Sequence, residues 1–372
     1  MKASARNLLS FAFLLFTLGL VLYIGFSGND ITEVWHAIRN LSWTSLLLCL
    51  LCWSVYVITD GLSVFFFLKK QNYPITFWQS TYIGMIGIYY CNLTPGASGG
   101  QPLQIYHLKR MGVPIGISGS ALSVKFFCFQ LQLLVVGAIL WIFHGDFIAQ
   151  KAGNVIWVIL MGYGFNFLSI GMVLTLAISK RAVRTVIALI IRIGVMLNIC
   201  KDPKKSTEKW EAHVSSFLSS VDLIRSRPKD LLIQFLIALV QLFALMAVIS
   251  VIYYAFGLSG TTFMEQITMG VLLYISASYT PLPGASGAQE GGFAVFFAGI
   301  FPPAYLFVAL LIWRFFTFYL SILAGFLLTT GESVTGLFRK NHTASLASAG
   351  QTEAGSSQPI QQEGSSQQDN PS

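Results

Sequence analysis

Long apolar stretches, separated by short polar and basic segments, fill the first 340 positions of this sequence. Six of these stretches are long enough to cross a bilayer, which requires about 20 residues. They are 8–26, 44–68, 115–143, 153–178, 230–256 and 303–328. Two further apolar stretches, 77–108 and 263–300, each contain an interruption. The pattern predicts an all-α polytopic membrane protein with six full spans and two broken elements.

The interruption is the same heptapeptide in both stretches, Pro-Gly-Ala-Ser-Gly-x-Gln, at 95–101 and 283–289. A Pro-Gly pair followed by Ser-Gly cannot continue a helix. Broken backbone at membrane depth is stable only where it is buried in protein or lines a cavity. Two matching breaks in corresponding positions of two halves therefore predict a transporter-type binding site.

Composition supports the membrane interpretation and divides the chain into a transmembrane domain and a polar tail. Hydrophobic residues make up 55% of it and charged residues 10%, whereas a soluble domain is about 25% charged. We expect one transmembrane domain over 1–340, with halves of about 1–180 and 230–340. The basic segment 180–229 would join the halves in the cytoplasm. The tail 341–372 is rich in Ser, Gln and Gly and is predicted to be disordered.

The positions of the 23 Lys and Arg residues predict the topology. With a cytoplasmic N-terminus, 19 of them fall inside and two, Arg39 and Lys151, fall outside, which leaves Lys125 and Arg314 within spans. Basic loops remain in the cytoplasm, so both termini are predicted there. Stretch 77–108 would then enter and leave from the inner side, and 263–300 from the outer side. They are predicted to be oppositely oriented re-entrant hairpins, an inverted repeat.

The breaks and the two membrane-embedded cations form the candidate substrate-binding site. A half-helix begins near Gln101 in one copy and near Gln289 in the other, and free N–H groups at a helix start attract anions. Lys125 follows Gln101 by 24 residues, and Arg314 follows Gln289 by 25. The candidate site residues are Pro95, Gly96, Ser98, Gly99, Gln101, Gln104, Lys125, Pro283, Gly284, Ser286, Gly287, Gln289, Glu290 and Arg314.

Structural alternatives exist for each part of this site. The cations need partners at this depth, and the candidates are Asp60, Glu290 and a lipid phosphate. Arg314 and Glu290 could form an internal ion pair that holds the second hairpin, and the turns could serve close helix packing through small residues. Three further polar residues within spans, Gln130, Gln132 and Asn166, are expected to form interhelical hydrogen bonds.

Enzymatic signatures are missing from the sequence. It contains no phosphate-binding Gly-x-x-x-x-Gly-Lys loop, no His-Glu-x-x-His and no Cys/His metal spacing. Ser98 and Ser286 have no His base nearby in the sequence. We therefore expect no catalytic residues, no metal and no cofactor.

At these residues the chain resembles the membrane region of the lysylphosphatidylglycerol synthase family, also called flippase-like integral membrane proteins, over about residues 8–330. In that family the second hairpin reads approximately Pro-Gly-Gly-x-Gly-x-x-Glu, followed later by an intramembrane Arg. The matching residues here are Pro283, Gly284, Gly287, Glu290 and Arg314.

The first hairpin departs from the family pattern. Gln101 replaces the acid, Gln104 replaces an Arg and Lys125 replaces a second Arg. Full-length synthases also carry a soluble domain that transfers lysine from aminoacyl-tRNA to phosphatidylglycerol, and we expect no such domain after position 328.

The resemblance implies translocation of an anionic or aminoacylated phospholipid, or a related lipid-linked molecule, between leaflets of a bacterial plasma membrane. Its partner is then a membrane phospholipid, with no nucleic acid bound by this chain alone. Two alternatives remain at this point. One is a phosphatidylglycerol lysyltransferase that acts alone or with a soluble aminoacyl-transferase chain, and the other is a non-catalytic lipid-binding scaffold.

Overall fold

A computed structural model describes residues 41–179 and 227–335 continuously, with a few isolated positions between 19 and 185. The predicted first span 8–26, the linker up to position 226 and the tail 341–372 lie outside these continuous ranges. Within the described part of the chain, the secondary structure is entirely helical.

Each half of the described chain has a long helix, a broken helical element and a further long helix. The first half contains α1 (Trp43–Lys70), α2 (Phe77–Leu93), α3 (Gly100–Arg110), α4 (Ile115–Ala152) and α5 (Ile156–Ile178). The second half contains α6 (Pro228–Ala255), α7 (Phe263–Ala277), α8 (Ala288–Phe297), α9 (Pro303–Arg314) and α10 (Leu320–Thr335).

Five helical segments are long and apolar enough to cross a membrane. They are Trp43–Lys70, Ile115–Ala152, Ile156–Thr175, Pro228–Ala255 and Tyr305–Gly331. The last of these runs through α9 and α10, which a π-helical turn at Phe315–Tyr319 joins directly. These segments correspond to five of the six predicted spans, so the protein is a multi-pass integral membrane protein.

The predicted breaks are present in both halves. A short 3-10 turn, Pro95–Ala97, separates α2 from α3, and the turn Pro283–Ala285 precedes α8 in the same way. The helices on either side of each turn pack against each other, so each element folds back on itself. That the two are re-entrant from opposite faces of the membrane stays a prediction.

Both broken elements also begin with the same capping device. Thr76 caps α2 and exchanges hydrogen bonds with Gln79, and Thr262 caps α7 and does the same with Glu265. In each capping box the threonine hydroxyl accepts from a backbone N–H while the longer side chain accepts from the threonine N–H. The repeat therefore extends from the start of each hairpin to its turn.

The two halves are joined chiefly by α1 and α6, which pack along their lengths. Ser63 Oγ donates to Gln234 Oε1 (2.5 Å), and Gln234 Nε2 donates back to the Ser63 carbonyl (2.9 Å). On its other side α1 meets α2 at two glycines. A Cβ on Gly61 would lie 2.5 Å from the Thr81 Cα, and one on Gly84 would lie 2.7 Å from the Gly61 N. The first hairpin is thereby held close to the centre of the fold.

Candidate functional site

The first break is a tight turn in which two consecutive residues adopt left-handed backbone angles. Gly96 has φ 57° and Ala97 has φ 54°. The turn is closed by Thr94, whose hydroxyl accepts from the Gly99 N–H at 2.8 Å. Pro95, Gly96, Ala97 and Ser98 are exposed. The turn therefore presents backbone and small side chains to its surroundings.

The second break begins with the same pair of left-handed residues, but the backbone after the pair and the closure of the turn differ, because Gly287 has φ 86° where Gly99 has φ −85°. Gly284 has φ 58° and Ala285 has φ 51°. Here the Gly287 N–H donates to Glu290 Oε2 at 2.6 Å, so a carboxylate on α8 takes the place that Thr94 has in the first break. Ser286 is buried, and its hydroxyl donates to the Pro283 carbonyl at 2.9 Å. The second turn is the more enclosed of the two.

The two turns lie against each other. Pro95–Ala97 contacts Pro283–Ala285, and the second turn also contacts α2. Residues far apart in the sequence thus form one surface of glycine, alanine, serine and proline between the halves. Residues 95–98 are exposed, so a ligand group could approach the backbone of the first turn closely, whereas the Phe318 ring lies against Gly284 in the second turn.

Arg314 and Glu290 pair with each other. Arg314 Nη2 and Glu290 Oε1 lie 2.6 Å apart, and Arg314 Nε donates to the same oxygen at 2.7 Å. Nη2 also donates to the Gly284 carbonyl at 3.2 Å, and the guanidinium lies 4.8 Å from the centre of the Phe318 ring. With Arg314 only 5% exposed, the internal ion pair named as an alternative is present. It connects α9 to the second break.

Lys125 pairs with Asp60, another of its candidate partners. Lys125 Nζ donates to Asp60 Oδ2 at 2.7 Å, and Gln241 Nε2 from α6 donates to Asp60 Oδ1 at 3.0 Å. Cys91 Sγ donates to the Ala97 carbonyl at 3.4 Å, and the Cys91 side chain lies near both Lys125 and Asp60. This charged cluster joins both halves and adjoins the first break.

Two tyrosines flank the same cluster. Tyr56 on α1 and Tyr274 on α7 lie near each other and near Asp60. Both side chains are half-buried, and Tyr274 stacks edge-on against Phe129 at 6.0 Å between ring centres. Two tyrosines therefore lie close to the acid of the pair.

The glutamines of the candidate site have separate surroundings. Gln104 is buried, and its Nε2 donates to the Ile83 carbonyl at 2.9 Å, so it ties α3 to α2. Gln101 is exposed. Gln289 is buried, and its Oε1 has no hydrogen-bond partner among the described residues. The equivalent glutamines of the two hairpins thus differ in exposure.

A tyrosine that the sequence analysis did not single out ties the second break to the first half. Gln130 Nε2 donates to the Tyr279 hydroxyl at 2.6 Å and to Asn166 Oδ1 at 2.9 Å. The Tyr279 hydroxyl also lies 2.7 Å from Ser169 Oγ. The predicted interhelical role of Gln130 and Asn166 is confirmed. Gln132 is different, because its buried amide atoms have no partner within the described part of the chain.

Within the described residues no group of three or more His, Cys, Asp or Glu side chains could hold a metal ion. What the site offers is backbone from two close turns, two internal ion pairs and a cluster of hydroxyl and amide groups. Such groups bind and orient a polar ligand through hydrogen bonds and charge.

Comparison with known proteins gives a consistent picture. A sequence model described as the lysylphosphatidylglycerol synthase TM region matches residues 7–325. A UPF0104 membrane protein of Archaeoglobus fulgidus is 22% identical over 321 residues, which cover 85% of this chain and 95% of that protein. The residues that the family model matches include both hairpins and both ion pairs.

Proposed function

This chain belongs to the lysylphosphatidylglycerol synthase transmembrane-region family, and we propose that it moves a phospholipid, anionic or aminoacylated, between the leaflets of the plasma membrane. The observation that carries this proposal is the contact between the two broken turns beside two buried ion pairs. Polar backbone and charge in the interior of a membrane protein are costly, and they mark the path of a polar cargo.

The headgroup would occupy the surface formed by the two turns, while the acyl chains stay in the lipid. The exposed residues 95–98 supply the accessible part of that surface. Lys125 supplies the cation for the phosphate, since its side chain is 15% exposed and that of Arg314 is 6% exposed. Arg314 and Glu290 then act mainly as a brace that keeps the second turn in shape.

The proposal is tested by lipid exchange in vesicles that contain the purified protein. Phospholipids labelled with a fluorophore on the acyl chain are bleached from outside with dithionite. Vesicles with the protein should lose clearly more than the outer-leaflet half of their fluorescence, and protein-free vesicles should lose half. A matched control is Ile142→Ala, because Ile142 is 78% exposed on the apolar outside of α4; it should exchange lipid as the unaltered protein does. Bleaching equal to that of protein-free vesicles would contradict the proposal.

The same preparation separates transport from lysyl transfer. Vesicles of phosphatidylglycerol are incubated with lysyl-tRNA, and the lipids are then analysed by mass spectrometry. We expect no new lysyl-phosphatidylglycerol. Its formation would instead support a lysyltransferase, and lipid binding without either activity would support a scaffold.

A further inference from the structure

The exposed side of α3 carries polar residues from one end of the helix to the other. Its exposed residues are Gln101, Pro102, Tyr106, Lys109 and Arg110. At 3.6 residues per turn these positions occupy one half of the helix circumference. The face begins next to the exposed residues 95–98 of the first turn and ends at the last turn of α3. The accessible surface of the first turn therefore continues along α3.

The matching helix of the second half exposes residues of the opposite kind. α8 follows the second turn as α3 follows the first, and its exposed residues are Gly291, Ala294 and Val295. None of them has a polar side chain, so this face suits contact with acyl chains. A polar face does not, because acyl chains form no hydrogen bonds with it. The exposed face of α3 is therefore suited to a polar groove.

The far end of α3 belongs to a basic surface of the protein. Leu108 of α3 packs in one apolar cluster with Leu68 of α1 and Leu231 of α6, so α1 and α3 end where α6 begins. Six exposed cations and the acid Asp230 lie at these helix ends, which gives the described part of this basic end a net charge of +5. The cations are Lys69, Lys70, Lys109, Arg110, Arg227 and Lys229. Such a surface attracts anionic lipid headgroups.

The length of α3 is sufficient to connect the basic end with the interior of the membrane. The helix has 11 residues and is about 16 Å long at a rise of 1.5 Å per residue. This is about half of the apolar thickness of a bilayer. A headgroup bound at the basic end could therefore follow α3 to the first turn without entering the acyl chains.

We infer that the exposed face of α3 is a binding groove for an anionic phospholipid headgroup, which enters at the basic end and moves toward the first turn. Lys109 and Arg110 bind the phosphate at the entrance, since both are cations with several donors. Further along, the Tyr106 hydroxyl and the Gln101 amide can donate hydrogen bonds to it. This inference rests on the proposed function, and it specifies an anionic cargo and the route of that cargo.

The access of water to α3 provides the first test. Gln101→Cys and Gly291→Cys are prepared in the full chain with its five native cysteines replaced by serine. Open membrane fragments are treated with a charged, water-soluble methanethiosulfonate. Gly291 is the matched control, because it is exposed near the start of α8 and no atom lies within 4 Å of its Cβ. Gln101→Cys should react at least tenfold faster, since thiols ionise where water reaches them. Equal rates would overturn the inference.

Lipid binding provides the second test. The protein in detergent is titrated with phosphatidylglycerol, which is anionic, and with phosphatidylcholine, which is zwitterionic, and native mass spectrometry measures the bound lipid. The unaltered protein should bind phosphatidylglycerol at least tenfold more tightly. Lys109→Gln with Arg110→Gln should weaken binding of phosphatidylglycerol about fivefold for each charge removed, which corresponds to about 1 kcal/mol per cation.

Lys151→Gln is the control for this titration, because it removes a cation at the other end of the protein, in the last turn of α4. It should bind both lipids as the unaltered protein does. Equal affinity of the unaltered protein for the two lipids, or an equal loss in Lys151→Gln and the double variant, would overturn the inference. If the double variant fails to fold, the comparison in the unaltered protein decides. A protein that prefers phosphatidylglycerol but exchanges no lipid in vesicles would refute the proposed function and leave the groove supported.

Discussion

Arg314 and Glu290 form a two-sided clamp on the second break. One Glu290 oxygen accepts from two nitrogens of Arg314, and the other accepts from the Gly287 N–H of the turn. Arg314 also reaches past the carboxylate to the Gly284 carbonyl. The pair therefore fixes the start of α8 and the turn before it at once.

The clamp predicts an unequal effect of single and double substitutions. Arg314→Gln leaves the Glu290 carboxylate buried without a counter-charge, which should cost about 3–5 kcal/mol of stability. Arg314→Gln combined with Glu290→Gln should recover most of this loss, because a glutamine oxygen can still accept from the Gly287 N–H. Thermal denaturation in detergent, followed by size-exclusion chromatography, measures the difference. A double variant no more stable than Arg314→Gln would show that the charge pairing is not what the clamp contributes.

The close contact between α1 and α2 predicts that a single methyl group added at Gly61 lowers the stability of the protein. In Gly61→Ala the new Cβ would lie 2.5 Å from the Thr81 Cα and 2.7 Å from the Ser80 carbonyl oxygen. Both are backbone atoms, so the helices must separate, and we expect a loss of about 1–3 kcal/mol. The same melting assay applies. Gly164→Ala in α5 is the control, because no atom lies within 4 Å of its Cβ; a similar loss there would refute the packing explanation.

Replacing the two alanines that have left-handed backbone angles with glycine is predicted to stabilise the protein. Ala97 and Ala285 have φ values of 54° and 51°, a conformation that costs a residue with a Cβ about 1–2 kcal/mol relative to the right-handed form. Glycine avoids this cost, so Ala97→Gly and Ala285→Gly should each stabilise the protein by about 0.5–1 kcal/mol after the added freedom of the unfolded chain is counted. The midpoint of thermal denaturation should rise. A fall in both variants would mean that the alanine methyl groups contribute packing that outweighs the strain.

The contact between α1 and α6 predicts that substitutions at Ser63 and Gln234 have non-additive effects on stability. Gln234→Leu removes both hydrogen bonds to Ser63 and leaves a buried hydroxyl unpaired, which should cost about 1–2 kcal/mol. Ser63→Ala with Gln234→Leu leaves no such hydroxyl and should be more stable than Gln234→Leu alone. A double-mutant cycle from thermal or urea denaturation gives the coupling energy, and additive effects would show that the two side chains do not depend on each other.

The predicted topology is tested by labelling cysteines from outside the cell. In a background with the five native cysteines replaced by serine, Lys109→Cys and Ser259→Cys place single thiols at exposed positions near the ends of the two hairpins. An impermeant maleimide should label Ser259→Cys in intact cells and Lys109→Cys only after permeabilisation. Labelling of both in intact cells would rule out the inverted arrangement.

Much of the helical layout could be predicted because it follows local rules. The spans are set by length and hydropathy, and both breaks follow from Pro-Gly in an apolar stretch. The capping boxes at Thr76 and Thr262 also follow a local rule, since a threonine three residues before Gln or Glu is their sequence signal.

For the charged residues of the site, the sequence limits the possible partners to a few but does not identify the one that each residue contacts. Lys125 had three candidate partners, and the choice of Asp60 depends on how α1 and α4 are rotated and packed. Gln241 and Tyr279 did not stand out, because their roles come from contacts between elements more than 100 residues apart in sequence. Gln104 is a candidate ligand because it stands where the family pattern has an Arg, yet its Nε2 donates to the Ile83 carbonyl of α2.

The contact between the two turns also constrains how the gene can change. Each turn packs against the other, so a substitution that enlarges a side chain in one turn alters how the other turn fits against it. A larger side chain in one copy of the heptapeptide is therefore expected to need a smaller one at the facing position of the other copy.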